Sequence, residues 1–371
     1  MLEVAILPVH PGWRLFDFAM SATSSPLSSN GMQMRVVIPA RNEQQSIDQA
    51  LDALRGQVDL AGAPLVPGCF DVTVLATDSN GAATMAARAY AERYPAFPLR
   101  LLERAVAGEV PLGEARRSLF EDACARFDAE GQIGIVASTD AHTVVAPDWV
   151  AATLDEFARG VDAVGGRVVL SPEDLDQMDP ALRRAHVQDT GYHLLLAELG
   201  ARVDPNPNDP FPCHYQHHSA SLALRTDVYR RAGGIPNEGN PDDSLYDALE
   251  RIDARIRHSP NVRAITRARC IGLLEDWAVT AISRQPLLVE PVMRSVKRLQ
   301  LRRELRGRWR FRRSHRELEQ GTRMDTFAFF GAFLADVRSE IERYLDETAG
   351  NEPVPLPAAI DDLRTTLTTY H

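Results

Sequence analysis

Ile135-Val-Ala-Ser-Thr-Asp-Ala-His-Thr143 is an apolar run that closes on Asp140-Ala141-His142. It reads as a buried strand that delivers polar side chains to its C-terminal edge. In extended backbone, residues i and i+2 point to the same side. Asp140 and His142 are therefore expected to face one cation, with the small Ala141 turned away. A carboxylate oxygen beside an imidazole nitrogen suits Mn²⁺ or a similar divalent ion better than Ca²⁺, whose ligands are oxygens. Alone, an Asp-x-His after a strand is weak evidence for a site. Its weight comes from upstream stretches built the same way.

The first is Met34-Arg-Val-Val-Ile38, a β-rich run followed by Pro39-Ala-Arg-Asn-Glu43. An amphipathic helix is predicted next, from about Glu43 to Leu54, with Ile47, Ala50, Leu51 and Leu54 on its inner face. The second run, Val72-Thr-Val-Leu-Ala76, ends in Thr77-Asp-Ser-Asn-Gly81 and leads into a predicted helix near Ala82–Arg93. A third unit precedes the Asp-x-His strand, where Gly113-Glu-Ala-Arg116 opens a helix with Leu119, Phe120, Ala123 and Phe127 facing inward. Strand, polar turn and helix, repeated with continuously apolar strands, predict an α/β fold with a mainly parallel sheet covered by helices. Ligands of such sheets bind outside the carboxyl ends of the strands. Every polar cluster named so far falls at that edge.

In these residues the chain resembles the family 2 glycosyltransferases, enzymes with the nucleotide-sugar-binding GT-A fold. Val36-Val-Ile-Pro-Ala-Arg-Asn-Glu43 is similar to that family's opening strand and nucleoside loop, Asp78 to its base-contacting aspartate, and Gly113-Glu-Ala-Arg116 to its Gly-x-Ala-Arg element. Thr139-Asp-Ala-His-Thr143, followed by Pro147-Asp-Trp149, resembles the Asp-x-Asp metal motif and its trailing Pro-x-Trp turn. His218-Ser-Ala-Ser-Leu-Ala-Leu-Arg225 through Gly233-Gly-Ile-Pro236 resembles the acceptor-side segment, and Asp242-Asp243, opening a helix expected over Ser244–Arg257, the Glu-Asp pair that supplies the base. The resemblance runs from about residue 34 to 270. It implies a nucleotide-sugar site built from Pro39, Ala40, Arg41, Asn42, Glu43, Asp78, Gly113, Arg116, Thr139 and Asp140. It further implies a metal on Asp140 and His142, an acceptor side with His217, His218 and Ser219, and a base at Asp242 or Asp243. Three departures stand out. His142 replaces the second metal-motif aspartate, Asp242-Asp243 replaces Glu-Asp, and Gly81 stands near the place of a later aspartate in the second cluster.

The chemistry explains the residue types. As a glycosidic bond to a nucleotide diphosphate breaks, charge grows on the leaving phosphate. A divalent cation neutralises that charge as a Lewis acid, and Arg116 or Arg41 adds charge-assisted hydrogen bonds. On the opposite face a carboxylate takes the proton of the attacking hydroxyl. One base and a cation-bound diphosphate imply a single displacement with inversion, as does the resemblance. The expected donor is a UDP-, GDP- or dTDP-sugar, with UDP favoured, and the metal is Mn²⁺ in preference to Mg²⁺. Two rivals remain: a catalytically silent nucleotide-sugar-binding scaffold, and a sugar-1-phosphate nucleotidyltransferase. Against the second, no glycine-rich loop with Arg and Lys follows the first strand.

Each residue also has a plainer reading. Asp78 and Asn80 suit turn caps, Asp242 and its neighbour suit a helix N-cap, and Arg41 and Arg116 are two of many arginines in a chain whose only lysine is Lys297. The ordered pattern outweighs these for Asp140, Asp78 and the Asp242-Asp243 pair. Phe211-Pro-Cys-His-Tyr-Gln-His-His-Ser219 adds His214, His217 and His218, where an acceptor-pocket role for His217 or His218 is favoured over a metal site.

At 371 residues the chain has ample material for one large α/β domain with additions. The expected division is a leader at 1–31, a catalytic domain at 32–275 and a helical C-terminal extension at 276–371. Cys69, Cys124, Cys213 and Cys270 are widely spaced, which predicts reduced thiols and a cytoplasmic setting. No run is apolar for long enough to suggest a membrane span. The net charge is −10, yet Arg294–Arg316 holds eleven basic residues against the single acid Glu304. The expected reading is a basic helix paired with the acidic body or with a second copy in a homodimer. Trp309 and Phe311 supply a second reading, peripheral docking on the inner face of a membrane. Nucleic acid is not an expected partner, since the chain is acidic and carries no binding motif. Thr326–Tyr344 is predicted as one amphipathic helix, and Pro353–Pro357 as a link to a short last helix.

Overall fold

A computed structural model describes residues 33–41, 43–44, 46–77, 81–103, 111–236, 240–267, 287–314 and 322–370. The leader, Asn42, Asp78, Asn80, Cys270 and the stretch around Trp277 lie outside the described residues. Strands and helices alternate as β1 (Met34–Ala40), α1 (Ile47–Arg55), β2 (Phe70–Ala76), α2 (Ala82–Arg93), β3 (Leu99–Glu103), α3 (Leu112–Ala129), β4 (Ile135–Ser138), β5 (Val144–Val145), α4 (Trp149–Ala158) and β6 (Ala163–Leu170). There follow α5 (Pro172–Gln177), α6 (Pro180–Val203), β7 (Leu222–Arg225), α7 (Thr226–Arg231), α8 (Pro241–Arg251) and β8 (Ile256–Thr266). The C-terminal region holds β9 (Leu288–Val289), α9 (Val292–Ser314), α10 (Phe330–Asp336), α11 (Arg338–Ala349), β10 (Val354–Pro355) and α12 (Leu356–Thr368).

The main sheet has the order β3-β2-β1-β4-β7-β6-β8-β5. β1 runs parallel to β2 and β4, and β2 to β3, while β7 is antiparallel to both β4 and β6. β6 and β8 are again parallel, and β5 closes the edge antiparallel to β8. This is the mainly parallel mixed sheet flanked by helices that the sequence predicts. Its two reversals about β7 return β6 to the direction of β4, so the carboxyl ends of β1, β2, β4 and β6 share one edge.

Both faces of the central strands are covered, which is why they read as unbroken apolar runs. Met34, Val36 and Ile38 of β1 pack with Ile47, Leu51 and Leu54 of α1, and with Ala83, Ala87 and Tyr90 of α2. Val37 and Val136 face the opposite layer, with Leu119, Phe120 and Phe127 of α3 and Leu245 and Leu249 of α8. Arg35 is the charged exception in β1. Its guanidinium lies 3.8 Å over the Phe127 ring and binds Asp71 and Glu130.

Three helix boundaries differ from the sequence expectation. Residues before Ile47 form a turn in which the Ser46 hydroxyl donates to Glu43, so α1 begins later than Glu43. The helix expected over Ser244–Arg257 begins at Pro241 and ends at Arg251, because Asp253 takes a left-handed φ of 52° and Ile256 enters β8. Thr326–Tyr344 is two helices joined at Val337, preceded by a 3₁₀ turn at Arg323–Thr326.

The basic segment lies on its own chain. Arg294 pairs with Glu342 (2.7 Å) and Asp346 (2.8 Å), and Arg298 with Glu290 (2.6 Å) and Glu342 (3.2 Å). Arg306 reaches the buried Asp204 at the end of α6 (2.9 Å), and Arg302 reaches Glu250 (3.4 Å). Trp309 is buried against Phe330, Phe333 and Val337, leaving Phe311 as the exposed aromatic of the pair. The membrane reading therefore loses its principal anchor. No helix among the described residues is long and apolar enough to cross a membrane. A further cluster joins Tyr192, Leu199 and Val203 of α6 to Val292 and Val296 of α9 and to Leu356, Ile360 and Leu363 of α12.

α10 is held to the end of α8 by one carboxylate. Asp253 accepts hydrogen bonds from the backbone N–H groups of Phe330 and Gly331, both at 2.7 Å. A Cβ on Gly331 would collide with the Glu250 carbonyl. Asp253→Ala is expected to lower the unfolding free energy by about 0.5–2 kcal/mol, as for loss of a helix cap. Gly331→Ala should cost about 1–3 kcal/mol through overpacking. Urea unfolding of the two variants checks both values.

Candidate functional site

Asp140 and His142 sit just beyond β4, but not in extended backbone. The Thr143 N–H bonds the Asp140 carbonyl at 3.0 Å, so residues 140–143 form a turn. Ala141 is nonetheless fully buried in the core and the flanking side chains face the same way. The expected convergence is present, produced by a turn and not by strand alternation. His142 Nε2 lies 3.8 Å from Asp140 Oδ2, and its Nδ1 lies 3.4 Å from Glu43 Oε1. A proton on Nδ1, facing Glu43, leaves the Nε2 lone pair directed to the same space as Asp140 Oδ2. A carboxylate behind a histidine is the usual way to fix such a tautomer.

The other oxygen of Asp140 is occupied. Oδ1 accepts from Arg116 at 2.8 Å, and the same guanidinium lies 3.5 Å from Asp242 Oδ1. Arg116 is buried on the first turns of α3, and its Nε–H has no acceptor among the described residues. α3 and α8 meet closely here. A Cβ on Gly113 would stand 2.6 Å from Pro241 Cγ, which gives the glycine of Gly-x-Ala-Arg a packing reason. Asn240 caps α8 by accepting from the Asp242 N–H at 3.0 Å. Asp242 itself accepts from the Ser219 N–H (3.0 Å) and from the Ser219 hydroxyl. Glu43, His142, Asp140, Arg116, Asp242 and Ser219 thus form one continuous polar chain across five segments.

Asp243 points elsewhere. Its carboxylate is largely exposed and lies 3.1 Å from His217 Nε2, whose ring stacks on Tyr246 with centroids 4.2 Å apart. His218 is exposed on one side, yet burial on its others lowers its pKa against the opposing pull of Asp242, Asp243 and Asp140. Thr139 is buried and donates to the Ala220 carbonyl at 3.0 Å, a structural bond beneath the site. Pro39 and Ala40 are buried at the end of β1, and Arg41 is exposed beyond them. The expected nucleoside contacts Asn42 and Asp78 lie outside the described residues.

Sequence reading passed over several supports. Tyr246 holds His217, and its place three residues after Asp243 on α8 was the available signal. The Trp149 indole donates to Ser221 Oγ at 2.9 Å, tying the Pro-x-Trp turn to the acceptor-side segment. Gly165 and Gly166 let that segment cross β6: a Cβ on Gly165 would stand 2.6 Å from the Gln216 carbonyl, and one on Gly166 would strike Ser221. His214 is buried, with Nε2 3.1 Å from the Ser259 carbonyl and Nδ1 accepting from the Gln216 N–H.

A mixed, mainly parallel sheet with helices on both faces and a polar chain at its carboxyl edge places the molecule among α/β proteins. The family model described as glycosyl transferase family 2 matches residues 35–229, more than half of the chain, and the chain belongs to that family, a family of glycosyltransferase enzymes. A comparison with curated proteins finds no match. Among solved structures, a mannosyltransferase from Pyrobaculum calidifontis in complex with GDP-Man and Mn²⁺ is 18% identical, with 91% of this chain and 74% of that one covered and a TM-score of 0.46. TarS of S. aureus is 12% identical over 78% of this chain and 44% of its own, with a TM-score of 0.42. Glucosyl-3-phosphoglycerate synthase from Mycobacterium tuberculosis, in complex with Mn²⁺, UDP-Glc and phosphoglyceric acid, is 19% identical over 70% and 84%, with a TM-score of 0.41.

Burial and the neighbouring His258 push His214 down to about 3 from an ordinary 6.5. The unfolded chain therefore takes up a proton between those values while the folded chain does not. Stability from this group is full above the unfolded value and falls as pH drops from 6.5 towards 3. The expected contribution is up to about 1.4 kcal/mol per pH unit. Comparing urea unfolding at several pH values with His214→Asn, which lacks this proton, checks the slope.

Proposed function

We infer that the chain is a metal-dependent, inverting glycosyltransferase that moves a sugar from a nucleotide diphosphate to an acceptor hydroxyl. The observation that carries this reading is the convergence of Asp140, Arg116 and Asp242, since it joins a cation-binding carboxylate, a phosphate-binding cation and a base at one edge. The residues fit a divalent cation. Asp140 Oδ2 and His142 Nε2 offer one oxygen and one nitrogen 3.8 Å apart, a donor set suited to Mn²⁺. No group of three His, Cys, Asp or Glu poised for a metal occurs among the described residues, so diphosphate and water would complete the shell. A bound cation would supply Lewis-acid neutralisation of the leaving diphosphate.

The chain's own groups have distinct parts to play. Arg116 holds Asp140 in place and has an unsatisfied Nε–H, which suits it to a phosphate oxygen as negative charge develops. Asp242 is favoured as base over Asp243, because it faces Arg116 and Ser219 while Asp243 is exposed and paired with His217. The Asn240-capped first turn of α8 and the two Ser219 bonds fix the direction of the Asp242 carboxylate, which is the group placed to accept a proton. The acceptor oxygen bonds to the anomeric carbon, its proton passes to Asp242, and the bond to the diphosphate breaks with its electron pair. His217 and His218 line the acceptor side. UDP is the favoured nucleotide, and the cytoplasm the favoured setting.

A thermal-shift screen of UDP, GDP and dTDP with and without Mn²⁺ tests the donor site. A stabilisation that needs Mn²⁺ and is lost in Asp140→Ala is the expected result; its absence with every nucleotide would sink the reading. Asp242→Asn should lower kcat by about 10²–10⁴-fold while nucleotide binding persists. Asp243→Asn should change kcat little, and the opposite ranking would move the base to Asp243.

A further inference from the structure

Arg167 lies on β6, two residues past the position level with Ser138 at the end of β4. Ser138 pairs with Leu222 of β7, and Leu222 pairs with Gly165 of β6. Arg167 stands two residues further along β6, just after the register shift at Gly166, and Asp140 stands two residues past the end of β4 in its turn. The donor loops follow β1 and β2, on the far side of β4, so Arg167 belongs to the other half of the edge.

Its surroundings are unusual for a half-buried cation. No hydrogen bond or ion pair joins it to another described residue, although it is half-buried. The Tyr215 phenol and the buried His214 imidazole lie close enough to feel its charge, and burial lowers its pKa. Its cross-strand partner Arg263 is also cationic and turns to Asp148 at 3.4 Å. The next pair on the same face of the ladder, Val169 and Ile265, is 39% and 40% exposed, so this part of the sheet face is open among the described residues. A desolvated guanidinium without a counter-charge is costly. A fold that keeps one beside an open apolar floor, at the level of the reacting edge, is arranged for an anion that arrives from outside.

We propose that Arg167 is the receptor for an anionic group, a carboxylate or phosphate monoester, on the acceptor substrate. This inference deepens the transferase reading above and rests on it. Tyr215 is within reach to share the anion, since it sits beside Arg167 and leads along the same segment to His217 and His218. The acceptor then spans from Arg167 to Asp242, with its anion at one end and its nucleophilic hydroxyl at the other. A neutral glycan or a simple alcohol would leave the guanidinium unsatisfied.

Calorimetric titration of the full chain tests this with glycerol, glycerate and glycerol phosphate, with and without saturating UDP and Mn²⁺. A further arm uses phosphatidylcholine vesicles with and without phosphatidic acid. The expected result is that an anionic member binds at least about tenfold more tightly than its neutral counterpart, and that Arg167→Gln removes the difference. Arg167→Lys should recover part of it. Binding confined to the phosphatidic acid vesicles supports the proposal with a lipid acceptor, and binding of the small anions supports it with a soluble one. Equal affinity for anionic and neutral members, or a preference that survives in Arg167→Gln, overturns it. The nucleotide-free arm decides for Arg167 even if no nucleotide binds, an outcome that would overturn the donor-site reading separately. Thermal melts give a second readout. Without anion, Arg167→Gln should melt at the same temperature or higher, whereas a purely structural arginine would lower it.

Discussion

Asp140 and Asp242 approach one another across the reacting edge from opposite directions, one on the turn after β4 and the other on the first turn of α8. Between them stands the Arg116 guanidinium, buried on α3, 2.8 Å from the first and 3.5 Å from the second. Like charges so placed repel, and a buried carboxylate without a partner is costly. The single cation satisfies both and so fixes where three separate elements meet. Gly113 allows it, because any side chain there would press on Pro241 and hold α3 off α8. Ser219 completes the constraint by bonding Asp242 from the acceptor-side segment.

The sheet explains why these elements meet at all. Parallel strands place their carboxyl ends together, and β7, antiparallel on both sides, brings β6 and then β8 back to the direction of β4. The edge is thereby divided. β1, β2 and β4 carry the loops that resemble a nucleoside and metal site, while β6 and the crossing segment 214–221 form the second half. Paired glycines at 165 and 166 permit that crossing, since the Gln216 carbonyl and Ser221 occupy the space of their missing side chains. The C-terminal helices are built onto the same body. Arginines of α9 meet carboxylates of α6, α8 and α11, and α12 shares an apolar core with α6. The charge asymmetry in the sequence is in large part an internal pairing.

Much of the fold was legible before any coordinates. The β1, β2 and β4 runs fall where unbroken apolar patterning puts them, and α2 spans Ala82–Arg93 as its pattern predicts. Boundaries failed where the deciding event is not local. α8 ends at Arg251 because Asp253 adopts a left-handed turn whose carboxylate then caps α10, a partner 77 residues away. The Thr326–Tyr344 helix breaks at Val337, which packs with Trp309 on another helix. The Asp-x-His geometry came out as expected for the wrong local reason: a turn aligned the two side chains.

What the sequence by itself determined is the set of residue types and their order along the edge: a carboxylate and imidazole after one strand, an arginine after a glycine, and acids at a helix start. These are read from periodicity and from chemistry carried by neighbours in the chain. Only the tertiary structure decided which acid shares the arginine, that His217 pairs with Asp243 while His214 is buried, and that Arg167 has no counter-charge among the described residues. Such pairings join residues far apart in sequence through burial and strand order. The balance between desolvation and a partner across the fold is absent from any local pattern.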